Sequence, residues 1–175
     1  DEMCPEARIC GSPDMRRNSV WHALNQRATA RRHALSIGCH YEDLDLIVAH
    51  LGGGITIGVH HHGRTIDVNN GLDGEGPFSP ERAGTLPTAD LIRMCFSGEY
   101  TEEELLRFVG GKAGLVAWLG TSDTREILDR IESGDEEAKL VMDAMIYHIA
   151  KGIAAQAAVL CGRYDAILIT GGLAH

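Results

Sequence analysis

Leu46-Ile47-Val48-Ala49-His50-Leu51-Gly52-Gly53-Gly54 is the stretch on which the fold turns. Its four leading apolar residues, inside a run from Leu44 to Leu51, read as a strand buried on both faces. The glycines close that strand. Beyond them Ile55 to His60 alternates in polarity, and so does Arg64 to Val68, with His61-His62-Gly63 between. That pattern predicts a β-hairpin. Glycine has no Cβ to obstruct an approaching anion, so backbone amides can point at one. Strand, glycine turn and hairpin together can seat a phosphate over the hairpin. Taken alone, the same glycines also suit a tight turn.

A second strand of this type, Asp165 to Thr170 with Ala166-Ile167-Leu168-Ile169 inside it, ends in Gly171-Gly172. Ligands of open α/β sheets gather at such strand ends. Helices are expected between the two glycine turns and before the first strand. Asn18 or Ser19 is positioned to cap a helix to about Ile37, stopped by Gly38, with Val20, Leu24, Ala28, Ala34 and Leu35 as its apolar stripe. Thr101-x-x-Glu104 and Ser133-x-x-Glu136 fit the capping box. The second box precedes the longest periodic stretch, 135 to 161. The sum is an α/β fold with a mixed sheet and flanking helices.

Residues 69 to 87 are rich in Gly, Pro, Asp and Asn without periodicity, and long ordered loops are usually functional. Asp67, Asn69, Asn70, Asp73, Glu75, Glu81 and Arg82 supply charge and amides there. Acids can hold Mg²⁺ through water, and an arginine can neutralise charge on a transferring phosphoryl group. A solvated surface loop is the alternative. Neither a Walker A sequence nor an H-R-D catalytic loop occurs, which disfavours a P-loop enzyme.

Composition narrows the field. The chain has 175 residues, a net charge of −9 and a pI near 5.4. Such acidity argues against nucleic acid or an anionic membrane as partner. No run approaches the ~20 apolar residues of a membrane span, and the N-terminus lacks a signal-peptide pattern, so a cytoplasmic protein is expected. The five cysteines are scattered with no C-x-x-C pair, and read as reduced thiols in or near a core. His60-His61-His62 reads as an exposed turn, because consecutive residues cannot easily converge on one ion. Read from their surroundings alone, His22 and His148 are packed or surface histidines, and Trp21 and Trp118 are packing residues.

Four segments together carry a resemblance. They are Trp21-His22-Ala23-Leu24-Asn25-Gln26, Ile47 to Gly54, Asp67 to Arg82, and Ile169-Thr170-Gly171-Gly172. The chain resembles the butyrate kinases of the acetate kinase family, in the actin-like ATPase (ribonuclease H-like) superfamily, over nearly its whole length. Related acetate kinases carry Asn in place of Gly53, which tilts the resemblance towards the butyrate and branched-chain acid kinases. It implies ATP/ADP and Mg²⁺ as cofactors, a short-chain fatty acid or acyl phosphate as substrate, and a homo-oligomer. His50, Gly52, Gly53 and Gly54 resemble the second phosphate motif, and Gly171 and Gly172 the start of the adenosine motif. Arg82 matches an arginine beside the acyl phosphate, and His22 a histidine that donates a hydrogen bond at the same site. Asp1 matches the acid that positions Mg²⁺. Tryptophan at position 21 replaces the family's phenylalanine, a change beside the acid pocket.

The resemblance also implies an incomplete domain: residues 1–175 would form the nucleotide-side domain, without the family's N-terminal lobe and C-terminal segment. Two other readings stand beside the butyrate kinase one. The piece is a non-catalytic nucleotide-binding or dimerisation module, or the enzyme phosphorylates another acid (acetate, propionate, branched-chain) or a sugar.

Overall fold

Four strands form one mixed sheet in the computed structural model, which describes residues 2–174. They are β1 (Asp45–Leu51), β2 (Ile55–His61), β3 (Arg64–Val68) and β4 (Ala166–Thr170), in the order β3-β2-β1-β4. β4 runs parallel to β1, with Leu46 opposite Ala166 and His50 opposite Thr170. β2 and β3 are antiparallel. The mixed α/β architecture expected from the apolar runs is therefore present.

The hairpin turn is shorter than the sequence suggests. His61 belongs to β2, and only His62 and Gly63 connect the strands, at φ 47° and 78°. Positive φ at both central residues matches the right-handed twist of the flanking strands. A register shift between Val59 and His60 marks a bulge just before the turn.

Helix α1 (Ala23–Ser36) begins later than expected, with His22 at the cap position and no side-chain cap. Ser19, expected as a cap, instead donates from its hydroxyl to the Val68 carbonyl at 2.8 Å. Of the expected apolar stripe only Ala34 is buried. Leu24 and Leu35 are 90% and 80% exposed, while Gln26, Thr29, Ala30 and Ala34 are buried. Their 3–4 spacing defines the true inner face. Small side chains there let the helix lie close to the sheet. Ala30 and Ala34 join Tyr41, Leu44, Leu46 and Val48 in one cluster, against which Ala166 and Leu168 pack.

The chain divides into two compact units. The first comprises the described parts of Asp1–Leu51, Thr56–Asn70 and Lys151–His175, and holds the sheet from Thr56 on, β1, β4 and α1. The second comprises Gly52–Ile55 and Gly71–Ala150. It contains α2 (Thr88–Cys95), α3 (Glu102–Arg107), α4 (Gly114–Leu119), α5 (Thr124–Glu132) and the first part of α6 (Glu136–Val159). Leu105, Leu115, Ile127, Val141, Met145 and Ile149 are among its buried side chains.

Of the two capping boxes, Thr101–Glu104 forms at the start of α3. The other does not. Ser133 closes α5, its hydroxyl donating to the Asp129 carbonyl at 2.8 Å, and Asp135 caps α6 by accepting from Ala138 N–H at 2.9 Å. A charged acceptor two residues closer to the helix displaced the serine. Trp118 is 65% exposed rather than packed. The thiols are free as expected but lie outside the core: Cys10, Cys39, Cys95 and Cys161 are exposed and Cys4 is half-buried. No helix among the described residues is long and apolar enough to cross a membrane.

Candidate functional site

In the first unit, β1 and β4 finish side by side, with His50 and Thr170 sharing the last rung of the parallel ladder. After β4 the chain turns at Gly171, at φ 96°. A Cβ on Gly171 would lie 2.7 Å from the carbonyl carbon of Leu51, so only glycine lets this turn press on the end of β1. Around Gly172 there is nothing within 4 Å of such a Cβ. One tight glycine and one open glycine thus follow β4.

Two histidines gather at the same strand end. The His22 and His50 rings stack with centroids 3.7 Å apart and planes 13° apart. His50 Nδ1 donates to Asn25 Oδ1 at 2.8 Å, which leaves its Nε2 as the lone-pair nitrogen. Burial lowers the His50 pKa below its ordinary value, so the ring is neutral at neutral pH. His22 Nδ1 lies 2.9 Å from Thr56 Oγ1. Thr56 is fully buried and is also bonded by Gln26.

In the second unit, the glycine turn is fixed from two sides. Gly52 N–H donates to the Gly54 carbonyl at 3.2 Å, and the Ser79 hydroxyl donates to the Gly53 carbonyl at 2.6 Å. Arg82 lies directly against Gly54, where a Cβ would sit 2.6 Å from the guanidinium carbon. Gly53 is roomier; a Cβ there would have Glu81 Oε2 as its nearest neighbour at 3.4 Å. Arg82 Nη1 donates to the Gly71 carbonyl at 2.5 Å, and its backbone N–H to Ser79 Oγ at 3.1 Å. Its Nε is buried with no hydrogen-bond partner among the described residues. A guanidinium against a glycine turn, holding a buried donor in reserve, is chemically suited to an anion.

The loop that carries Arg82 is ordered by backbone bonds. Thr85 N–H donates to the Gly76 carbonyl at 2.9 Å, and Ala113 N–H to the Glu81 carbonyl at 3.0 Å. Ser79, 1% exposed, is the residue here that sequence reasoning passed over. Its signal was weak, because a serine among glycines and prolines ordinarily marks a turn.

Other expected charges are spent on structure. Asp67 pairs with Arg17 at 2.7 Å, and Asn69 Oδ1 accepts from Ile57 N–H at 2.7 Å. Asp1 lies outside the described residues. The histidine triplet divides. His60 is fully buried between Tyr41 and Gln26, not exposed in a turn. His61 Nδ1 meets Asp45 at 2.5 Å and His62 Nδ1 the Glu42 carbonyl at 3.0 Å. Ligand-capable atoms of Asp45, His61 and His62 lie within 4.8 Å of one another, a grouping the spacing of the triplet alone does not reveal. His148 packs edge-on to Phe78, centroids 5.5 Å apart.

Comparison with known proteins adds three observations. The acetokinase family model matches residues 15–175. A Bacteroides thetaiotaomicron protein named "Probable butyrate kinase" is 59% identical over 175 residues, which is 100% of this chain and 50% of that protein. Among solved structures, Porphyromonas gingivalis acetate kinase superposes with a TM-score of 0.89 at 28% identity, covering 98% of this chain and 45% of that one. A propionate kinase of Francisella tularensis gives 0.86 at 23% identity, covering 98% of this chain and 46% of that one, and supports the fold alone. The chain spans about half the length of the relatives it matches.

Proposed function

The chain belongs to the acetokinase family, and we propose that the whole protein is a butyrate kinase. It would transfer the γ-phosphoryl group of ATP, reversibly, to a short-chain fatty acid: butanoate + ATP = butanoyl phosphate + ADP. The observation that carries this reading is the 59% identity to a protein named as a butyrate kinase, over every residue of the chain. The geometry supports it. A turn at Gly171 closed by Leu51 backbone, and one at Gly54 where a side chain fits only if the Arg82 guanidinium moves, suit a backbone that must approach a phosphate or a ribose closely.

The residue roles are those that the resemblance implies. Gly52, Gly53 and Gly54 with His50 would contact the nucleotide phosphates, and Gly171 with Gly172 the adenosine. Arg82, already holding the Gly54 side of that turn, would stabilise charge on the transferring phosphoryl group. His22 would donate a hydrogen bond to the same developing charge. The carboxylate oxygen of the acid attacks the γ-phosphorus in line as the bond to ADP breaks. No protein nucleophile is needed, and catalysis is positioning and charge stabilisation. Mg²⁺ when bound supplies further charge neutralisation across the phosphates. Glu81, whose Oε2 sits beside Gly53, is a hard oxygen donor of the kind that ion takes, and Asp1 is the acid assigned to position it.

We place this chain on the nucleotide side of the enzyme and expect a cytoplasmic homo-oligomer. Light scattering on the full-length protein checks the last point. The catalytic reading is checked by Arg82→Ala in that same protein, which lowers turnover by well over tenfold. Near-normal turnover in that variant overturns the assignment. ATP binding without turnover by residues 1–175 alone is the outcome that the binding-module reading predicts for this piece.

A further inference from the structure

We propose that Gln26, His60 and Tyr41 form a buried positioning chain that holds the Thr56 hydroxyl as a donor to His22, and so places the His22 proton on Nε2. The inference rests on the reading above for its catalytic meaning, but its geometry stands without it. All five side chains belong to the first unit. Gln26, Thr56 and His60 are each fully buried, an unusual depth for three polar side chains in one place.

The direction of the bonds from Gln26 to Tyr41 follows from one group that cannot be reversed. The Thr56 backbone carbonyl is an acceptor only, and Gln26 Nε2 lies 3.1 Å from it. The amide therefore turns its NH₂ towards Thr56 and its oxygen the other way. Gln26 Oε1 faces His60 Nε2 at 3.1 Å, so His60 carries its proton on Nε2. That leaves His60 Nδ1 as a lone pair, which Tyr41 O–H fills at 2.5 Å. Burial, with help from the nearby Arg27 charge and against Glu2, holds His60 down to about 4, in keeping with the neutral ring this pattern requires. Burial likewise raises Tyr41, which keeps its hydroxyl a donor.

The other end of the chain now has one consistent arrangement. The second Gln26 N–H donates to Thr56 Oγ1 at 2.9 Å. Thr56 has spent a lone pair on that bond and still holds its own hydrogen. A second lone pair remains on Oγ1, but its buried hydrogen needs an acceptor, and among the described residues His22 Nδ1, 2.9 Å away, is the one within reach, so the hydroxyl donates there. An Nδ1 that accepts carries no proton, so the His22 N–H is on Nε2. In the proposed reaction that is the nitrogen able to donate towards the phosphoryl group. Gln26, His60 and Tyr41 touch neither nucleotide nor acid in this scheme. They are positioning residues.

The direct test uses full-length protein with ¹⁵N-labelled histidine, and His22→Asn to assign the His22 signal. Imidazole ¹⁵N shifts distinguish the two neutral tautomers from the doubly protonated ring without any dependence on activity. At pH 7.5 we expect the Nε2–H tautomer at His22. An Nδ1–H tautomer or a doubly protonated ring overturns the proposal. In parallel, Thr56→Val, which keeps the shape and removes the hydroxyl, should lose the Nε2–H signature and lower kcat about tenfold or more, leaving KM for ATP within about threefold. Thr56→Ser should restore both. A Thr56→Val protein that keeps the wild-type His22 shifts also overturns the proposal. The wild-type spectrum decides even if that variant fails to fold. If His22→Asn leaves turnover unchanged while the tautomer is as expected, the chain positions His22 but the catalytic reading of His22 fails.

Discussion

Arg82 lies against Gly54, and on the proposed roles of the two their contact separates function from stability. The group that a Gly54 Cβ would strike is the far end of a flexible arginine, not backbone. Gly54→Ala should therefore melt close to wild type while displacing the guanidinium, and lose tenfold or more in turnover. Gly53→Ala, whose Cβ would meet Glu81 at an ordinary 3.4 Å, should retain most activity. Steady-state kinetics and thermal melts on the two variants check this. It also fits the resemblance, in which position 53 is the one where related acetate kinases carry asparagine. His60 gives a second prediction. Its folded pKa of about 4 lies below the ordinary 6.5 of a histidine, so the unfolded chain binds the proton more readily between those values. The contribution is fully present above pH 6.5 and is lost as pH falls towards 4. The loss is about 3 kcal/mol at 1.36 kcal/mol per pH unit. Denaturant unfolding between pH 7 and 4.5 should show that decline, and His60→Gln should flatten it.

At the scale of elements, the long helix α6 is where a neighbouring residue reversed the reading. Asp135, not Ser133, accepts the Ala138 N–H and also pairs with Arg130 at 2.8 Å. Asp135→Ala should lower Tm measurably more than Ser133→Ala, as read by differential scanning calorimetry. The strands were legible because apolar runs such as Ile47-Val48-Ala49 have few alternatives, and their boundaries differ from the reading by one residue. The inner face of α1 was not. Gln26 is a polar residue outside the expected stripe, and the carbonyl and hydroxyl of Thr56, thirty positions away, with His60, satisfy it in the core. Leu24 and Leu35 looked like core and are exposed, because an exposed leucine carries no mark that a periodicity count can distinguish from a buried one. His60 was missed for a related reason. The bulge at Val59–His60 sets which of three consecutive histidines points inward, and a bulge has no composition of its own here.

Across the whole molecule, the sequence carried the chemistry further than it carried the packing. The glycine turns at 52–54 and 171–172 were found as candidates from strand ends alone, and Arg82 from a charged loop. What the sequence left out was how each is fixed: Ser79 on Gly53, Asn25 on His50, Leu51 against Gly171. Those are contacts between residues distant in sequence, and they exist only once the fold is made. The division into two compact units, with the 52–54 turn in one and His50 in the other, likewise has no mark in composition or charge. A chain of this family and length answers to one measurement above others. Full-length protein is given ATP and Mg²⁺ with butyrate, isobutyrate, acetate or glucose in turn, and acyl phosphate and ADP are measured. We predict ADP and acyl phosphate in equal amounts, with kcat/KM highest for butyrate or isobutyrate and no reaction with glucose. Phosphorylation of glucose with none of the acids would contradict the assignment.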